Sequence, residues 1–199
     1  MQPDAPDQLS LKLQFMGGNM IKSDQQFKST SSQKRHFSHD LMLAVHICRQ
    51  YHYLDSAGVS GPIPSTFANL RNMVTVWASD NAFTGRIPDF IGNWTQLQTL
   101  RFEGNSFEGS MPPTFSRLTS LQELRISGLS NGTLDFIRDM KSLSTLCIPC
   151  RVLRNNRLSG SIPTDIGEYQ SLTRLDLSFN RLSGQIPRGL FNVSQIAFL

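Results

Sequence analysis

The chain has 199 residues, of which 39% are hydrophobic, 17% charged and 9% aromatic. That is apolar enough to bury a core and too short for several large domains, while 14 Gly and 10 Pro exclude a collagen-like or low-complexity fibre. A net charge of +4 favours solubility and is too small to point to nucleic acid.

Residues 1–50 come first and lack the periodicity that follows. The opening Met1-Gln2-Pro3-Asp4-Ala5-Pro6-Asp7 has neither the basic start nor the apolar segment of a secretory signal. Gln25 to His39 is polar and rich in Ser, Lys and Gln, so 1–50 is expected to be irregular or disordered. The longest uninterrupted apolar stretch, Leu41 to Val45, falls far short of the roughly 20 residues that cross a bilayer, so no insertion into a membrane is expected.

From Leu54 onward one motif recurs. Gly61-Pro62-Ile63-Pro64, Gly85-Arg86-Ile87-Pro88, Gly109-Ser110-Met111-Pro112, Gly160-Ser161-Ile162-Pro163 and Gly184-Gln185-Ile186-Pro187 follow one another at steps of 24, 24, 51 and 24 residues. Four positions before each Gly lies a slot held by Ala57, Asn81, Asn105, Asn156 or Asn180, and apolar residues stand three, five and eight positions ahead of the slot, as in Leu97, Leu100 and Phe102 before Asn105. This is a leucine-rich repeat. Alternating apolar residues make a short strand with one buried side, and the Asn amide, donor and acceptor at once, can satisfy buried backbone in the turn after it. The fold class is therefore an α/β repeat, a leucine-rich-repeat solenoid over 51–199 with short parallel strands on its concave face and a ladder of Asn81, Asn105, Asn156 and Asn180 behind them.

The 51-residue step hides a degenerate unit. Leu121, Leu124 and Ile126 keep the strand spacing with Leu129 in the Asn slot, and Leu134 to Met140 is expected to hold a helical turn on the convex side. In the next unit Cys147-Ile148-Pro149-Cys150-Arg151 is read as an insertion at 147–151, which leaves Leu143, Leu146 and Leu153 to form the strand. At the far end Ile196 and Leu199 begin another strand. Both ends lack polar caps, so self-association through the ends is expected.

Outward strand positions line the concave face of such a solenoid. They offer Tyr53, Trp77, Arg101, Arg125 and Asp176 four before the slot, Glu103 and Arg154 two before it, and Glu123 and Arg174 six before it. Trp and Arg are frequent binding anchors, although Arg101, Glu103, Glu123 and Arg125 would equally pair with one another across the strands. All four His lie at or before His52, so the repeats carry no usual general base. Cys147-x-x-Cys150 lacks a βαβ context or a second ligand pair, and His36, His39, His46 and Cys48 are irregularly spaced, so no metal, cofactor or catalytic residue is expected. Asn93-Trp94-Thr95, Asn131-Gly132-Thr133 and Asn192-Val193-Ser194 match the N-glycosylation pattern on segments off the strands.

Residues 51–199 resemble the ectodomain of plant leucine-rich-repeat receptor-like serine/threonine kinases. The strings Pro88-Asp89-Phe90-Ile91-Gly92-Asn93-Trp94-Thr95, Leu134-Asp135-Phe136-Ile137-Arg138-Asp139-Met140-Lys141-Ser142-Leu143 and Asp176-Leu177-Ser178-Phe179-Asn180 are most similar to the subfamily that adds a malectin-like domain. The resemblance implies a place on the extracellular side of the plasma membrane and a non-catalytic role in transmembrane signalling, with a peptide, glycan or co-receptor as partner. The glycine-rich loop, His-Arg-Asp and Asp-Phe-Gly of a kinase are not among these residues, so no enzyme activity is expected of them. The alternative is a stand-alone or truncated repeat protein, either inhibitor-like or without function.

Overall fold

Why the chain coils follows from its strands, which are too short to bury a face alone. The computed structural model describes residues 35–36, 51–148 and 156–197, all within the compact unit Gln33–Leu199. The strands Tyr51–Tyr53, Thr75–Trp77, Thr99–Phe102, Glu123–Ile126, Thr145–Cys147 and Arg174–Asp176 form one parallel sheet in chain order. Their register keeps equivalent residues adjacent: Trp77 pairs with Arg101, Arg101 with Arg125, and Cys147 with Asp176. Inward residues Val76, Leu100, Leu124, Leu146 and Leu175 meet in one continuous core. Each strand alone would expose its apolar side, and stacking removes that surface from water.

A second, flanking set of parallel strands follows each turn: Val59–Gly61, Ala82–Arg86 and Ser106–Glu108, then Ser159–Gly160 beside Arg181–Leu182. The degenerate unit carries no flanking strand, but Ser130 N–H reaches Gly109 O at 3.0 Å and Ser159 N–H reaches Gly132 O at 2.9 Å, so the path stays bonded across it. On the convex side the chain returns through 3-10 segments at Ser65–Asn69, Asp89–Asn93, Pro113–Arg117, Asp135–Ile137, Thr164–Glu168 and Arg188–Asn192. Five of these follow a proline, Pro64, Pro88, Pro112, Pro163 or Pro187, whose fixed φ sets up the first turn. Where that proline is missing, Asp135–Ile137 is the short segment, within the helical turn expected at Leu134 to Met140. Tyr169 O–H donates to Ile137 O and ties the degenerate unit to its successor.

The convex segments approach closely. A Cβ on Gly92 would stand 2.4 Å from Thr114 O of the next unit, and one on Gly167 would stand 2.6 Å from Gly189 C.

The asparagine ladder has a consistent wiring. Asn105 Oδ1 accepts Phe83 N–H at 3.1 Å, and its Nδ2 donates to Ala78 O at 2.8 Å and Phe102 O at 3.1 Å. Asn81 takes Val59 N–H and donates to Leu54 O and Ser79 O. Asn156 takes Leu129 N–H, and Asn180 takes Leu158 N–H. Each amide thus closes its own turn and fastens the preceding unit.

Three features differ from the sequence expectation. First, a left-handed turn falls on the residue before the slot, a demand the repeat pattern does not display: Ser56, Asp80 and Phe179 have φ of 52°, 54° and 59°, and Gly104 and Gly128 fill the same place. Second, Cys147 ends the fifth strand and Ile148 follows it, where Val152 and Leu153 were expected. Ile148 is fully buried, and its carbonyl accepts Asn156 Nδ2 at 2.9 Å. Eight residues separate Ile148 from Asn156, where three separate Phe102 from Asn105, so the extra residues follow Ile148 and the strand register is uninterrupted. Both readings offer an apolar pair ahead of Asn156; the earlier pair wins because it continues the ladder before Pro149, which has no N–H to give. Third, within the segment expected to lie outside the period, Arg35–His36 pairs in parallel with Val59 and Ser60, one repeat length earlier. The rest of 1–50, and Cys150, Arg151, Val152, Leu153 and Arg154, lie outside the described residues. At the other end Ala197 N–H reaches Thr173 O at 2.9 Å, as Gln98 N–H reaches Val74 O, so the backbone at Ala197 keeps the register of the earlier repeats; the rest of the expected strand lies outside the described residues.

Two substitutions test this wiring. Asn105→Ala strips partners from Phe83 N–H and two carbonyls at a site 3% exposed and should cost roughly 3 kcal/mol in chemical denaturation. Phe179 is 72% exposed in a conformation that suits glycine, so Phe179→Gly should raise stability by about 1 kcal/mol by the same measurement.

Candidate functional site

The concave face is built by the outward residues of the six-stranded sheet. Its centre is an ion network. Arg101 donates to both oxygens of Glu123, Nε to Oε1 at 3.1 Å and a terminal nitrogen to Oε2 at 3.0 Å, and Arg125 Nε donates to Glu123 Oε1 at 2.5 Å. Parallel register sets Arg101 directly beside Arg125, a like-charge neighbour that is unfavourable by itself. Glu123 sits diagonally between them and offsets the repulsion with a fork-shaped pair. The three side chains are 17–28% exposed, so solvent screens them less than an ordinary surface pair.

Aromatic rings extend the network towards the first strand. The Arg101 guanidinium lies 4.3 Å from the Trp77 ring centroid, and Tyr53 meets Trp77 edge to face, with centroids 4.7 Å apart and planes at 82°. Trp77 is therefore covered by its neighbours, while Tyr53 is 43% exposed. The network immobilises Arg101 from two sides.

Carboxylates on this face respond in opposite directions. Burial disfavours ionisation of Glu123, but hydrogen bonds from Arg101 and Arg125 outweigh it and hold the carboxyl below its ordinary range. For Glu103 burial prevails over its own backbone N–H, Arg125 and Arg101, and the carboxyl is pushed up. Burial also raises the Cys147 thiol, against the pull of Arg125 and Arg174. Asp176 Oδ1 accepts Ser178 N–H at 3.2 Å and the Ser178 hydroxyl at 2.7 Å.

The structure thus brings Tyr53, Trp77, Arg101, Glu123 and Arg125 into one contact chain. Glu103 stands one outward position further along from Arg101, and Arg174 and Asp176 lie on the sixth strand. Arg154 lies outside the described residues. Cys147, which sequence spacing placed in an insertion, is on this face between Arg125 and Asp176; its alternation with Leu146 and Ile148 was the available signal. Asn93, Asn131 and Asn192 are all exposed and off the concave strands, and Asn93 Oδ1 accepts Arg117 at 3.2 Å. No helix among the described residues is long and apolar enough to cross a membrane.

The family model described as Leucine Rich Repeat matches residues 96–118 and 171–193. The chain is a leucine-rich-repeat protein. The ectodomain of the Arabidopsis thaliana membrane receptor kinase GASSHO1/SCHENGEN3, solved with CASPARIAN STRIP INTEGRITY FACTOR 2, is 30% identical with a TM-score of 0.66 over 75% of this chain and 18% of that one. The Arabidopsis receptor kinase HAESA, solved with the peptide hormone IDA and the co-receptor SERK1, is 30% identical with a TM-score of 0.64 over 70% of this chain and 23% of that one. A plant ice-binding protein is 27% identical with a TM-score of 0.57 over 67% of this chain and 42% of that one. The chain therefore spans about a fifth of the length of the two receptor ectodomains.

The opposed carboxylates give a pH prediction. Glu123, depressed in the folded state, contributes stability that is present above the ordinary Glu value and lost as pH falls through its folded value. Glu103 has the opposite sign, since acid relieves its burial cost. Glu123→Gln should therefore flatten the loss of thermal stability between neutral pH and about pH 3, as followed by melting temperature against pH; an unchanged slope would remove Glu123 from the account.

Proposed function

We propose that this chain is a non-catalytic recognition module, a part of the extracellular ligand-binding region of a plant receptor-like kinase, and that its concave face takes a peptide or a co-receptor protein. The observation that carries the reading is the Tyr53–Trp77–Arg101–Glu123–Arg125 chain: anchor-type side chains, held rigid before any ligand arrives, along a curved sheet. Preorganisation of this kind lowers the ordering cost of binding. Arg125 uses Nε on Glu123 and keeps its terminal nitrogens for a partner. Peptide hormone binding by HAESA supports the class of ligand. The malectin-like subfamily and a glycan as ligand belong to the same proposal and rest on the quoted sequence strings and on the aromatic pair.

Selection from a displayed peptide library on the folded chain tests the reading. Peptides that bind should weaken about tenfold or more on Arg125→Ala or Trp77→Ala and be indifferent to Lys141→Ala on the convex side. Binding that responds equally to Lys141→Ala, or a library that yields nothing above background, would argue against a concave site.

The alternative is a stand-alone repeat protein, favoured by the match to a plant ice-binding protein. Thermal hysteresis in the freezing curve of the pure chain would decide for it.

A further inference from the structure

Charge divides the concave face unevenly. Arg101, Glu123 and Arg125 largely satisfy one another. Two residues before the slot, however, Asp55, Ser79 and Glu103 succeed one another on neighbouring turns, because the ladder places Ser56 N–H on Ser79 O and Asp80 N–H on Glu103 O, both at 2.9 Å. Asp55 Oδ1 accepts Ser79 N–H at 2.6 Å. The Ser79 residue is 6% exposed and its hydroxyl has no partner, and Glu103 Oε2 is likewise buried and unpartnered. Buried polar atoms without partners are costly, and these two belong to successive turns, with Asp55 on the turn before them: burial pushes the Glu103 carboxyl up against its own backbone N–H, Arg125 and Arg101, and Asp55 adds to the rise.

We propose that Asp55, Ser79 and Glu103 form a subsite for a primary ammonium group, either a lysine side chain or the amino terminus of a peptide. The inference rests on the concave face being a peptide-binding surface and names one chemical feature of the ligand. An ammonium carries three donors and no acceptor. Asp55 Oδ2, the Ser79 hydroxyl oxygen and Glu103 Oε2 are three acceptors on successive turns, and a cation between the two carboxylates would offset their mutual repulsion. A neutral saccharide could meet the same oxygens but would leave that charge uncompensated. Tyr53, 43% exposed next to Asp55, offers apolar area for the methylene stem that brings a lysine in.

The experiment uses the full chain labelled with 15N and four probes: Nα-acetyl-lysine methylamide, glycylglycinamide, Nα,Nε-diacetyl-lysine methylamide and maltotriose. One or both ammonium probes should shift the amide resonances of Ser79, Asp80 and Gly104, and the one that does identifies the source. Their affinity should fall about tenfold with Glu103→Gln and with Asp55→Asn, each of which keeps an acceptor but removes a charge. Should Glu103→Gln fail to fold, Asp55→Asn, at an exposed residue, carries the test. Equal shifts from the diacetylated probe would mean apolar contact, equal shifts from maltotriose a polyol site, and no shift from either ammonium probe at millimolar concentration no subsite; each overturns the inference. Failure here is separable from failure of the broader reading. Library peptides that respond to Arg125→Ala but ignore Asp55→Asn would remove the subsite and leave the concave site standing.

Discussion

One hydrogen-bonding arrangement makes the rest of the fold feasible: a side-chain amide that serves two units at once. A solenoid buries the turn that follows every strand, and that turn exposes backbone N–H and C=O groups which no sheet ladder reaches. Asn105 answers both sides of the problem, accepting Phe83 N–H and donating to Ala78 and Phe102 carbonyls. Because its partners lie on adjacent units, the bond that closes one turn also fixes the spacing to the next. Leu129 shows what happens without it: the slot is filled with hydrocarbon, the unit has no flanking strand, and Asn156 of the following unit takes the N–H of Leu129 itself, where the other amides take the N–H two residues past the preceding slot. The ladder tolerates a missing rung because each amide leans on its neighbour's backbone.

Much of this was legible from residue order alone. A 24-residue period with apolar residues three, five and eight before a fixed slot leaves little freedom in strand placement, and the strands at Thr75–Trp77, Thr99–Phe102, Glu123–Ile126 and Arg174–Asp176 fall where the spacing puts them. Two apolar pairs preceding Asn156 made the fifth strand ambiguous, since pattern cannot weigh Cys147-Ile148 against Val152-Leu153; ladder continuity could, once Cys147 paired with Asp176. The left-handed position was hidden for another reason. Ser56, Asp80, Gly104, Gly128 and Phe179 have no common chemistry, so a shared backbone demand leaves no shared letter in the sequence. Arg35–His36 was missed because a two-residue strand is too short to carry a pattern.

The candidate site was legible in membership but not in wiring. Knowing which residues face outward follows from alternation; knowing that Glu123 bridges two arginines, that Trp77 is covered by Arg101, or that Glu103 and Ser79 hold unpartnered oxygens requires side-chain geometry. Coulomb attraction and burial act on neighbouring carboxyls of this face with opposite outcomes, lowering Glu123 and raising Glu103. The difference comes from hydrogen-bonding company and not from depth alone.

The close approach behind Gly92 and Gly167 bears on how such a chain is inherited. At Gly92 the backbone of the next unit stands where a side chain would begin, so the absent Cβ is a clearance cut for a neighbour, encoded one unit away from the part that needs it. A duplication of a whole period copies the clearance together with the segment that fits into it. A duplication of any other length separates them. Whole-unit gain and loss is then the mutational step that this architecture absorbs without a clash, and drift within a unit is constrained by its neighbour as much as by its own fold.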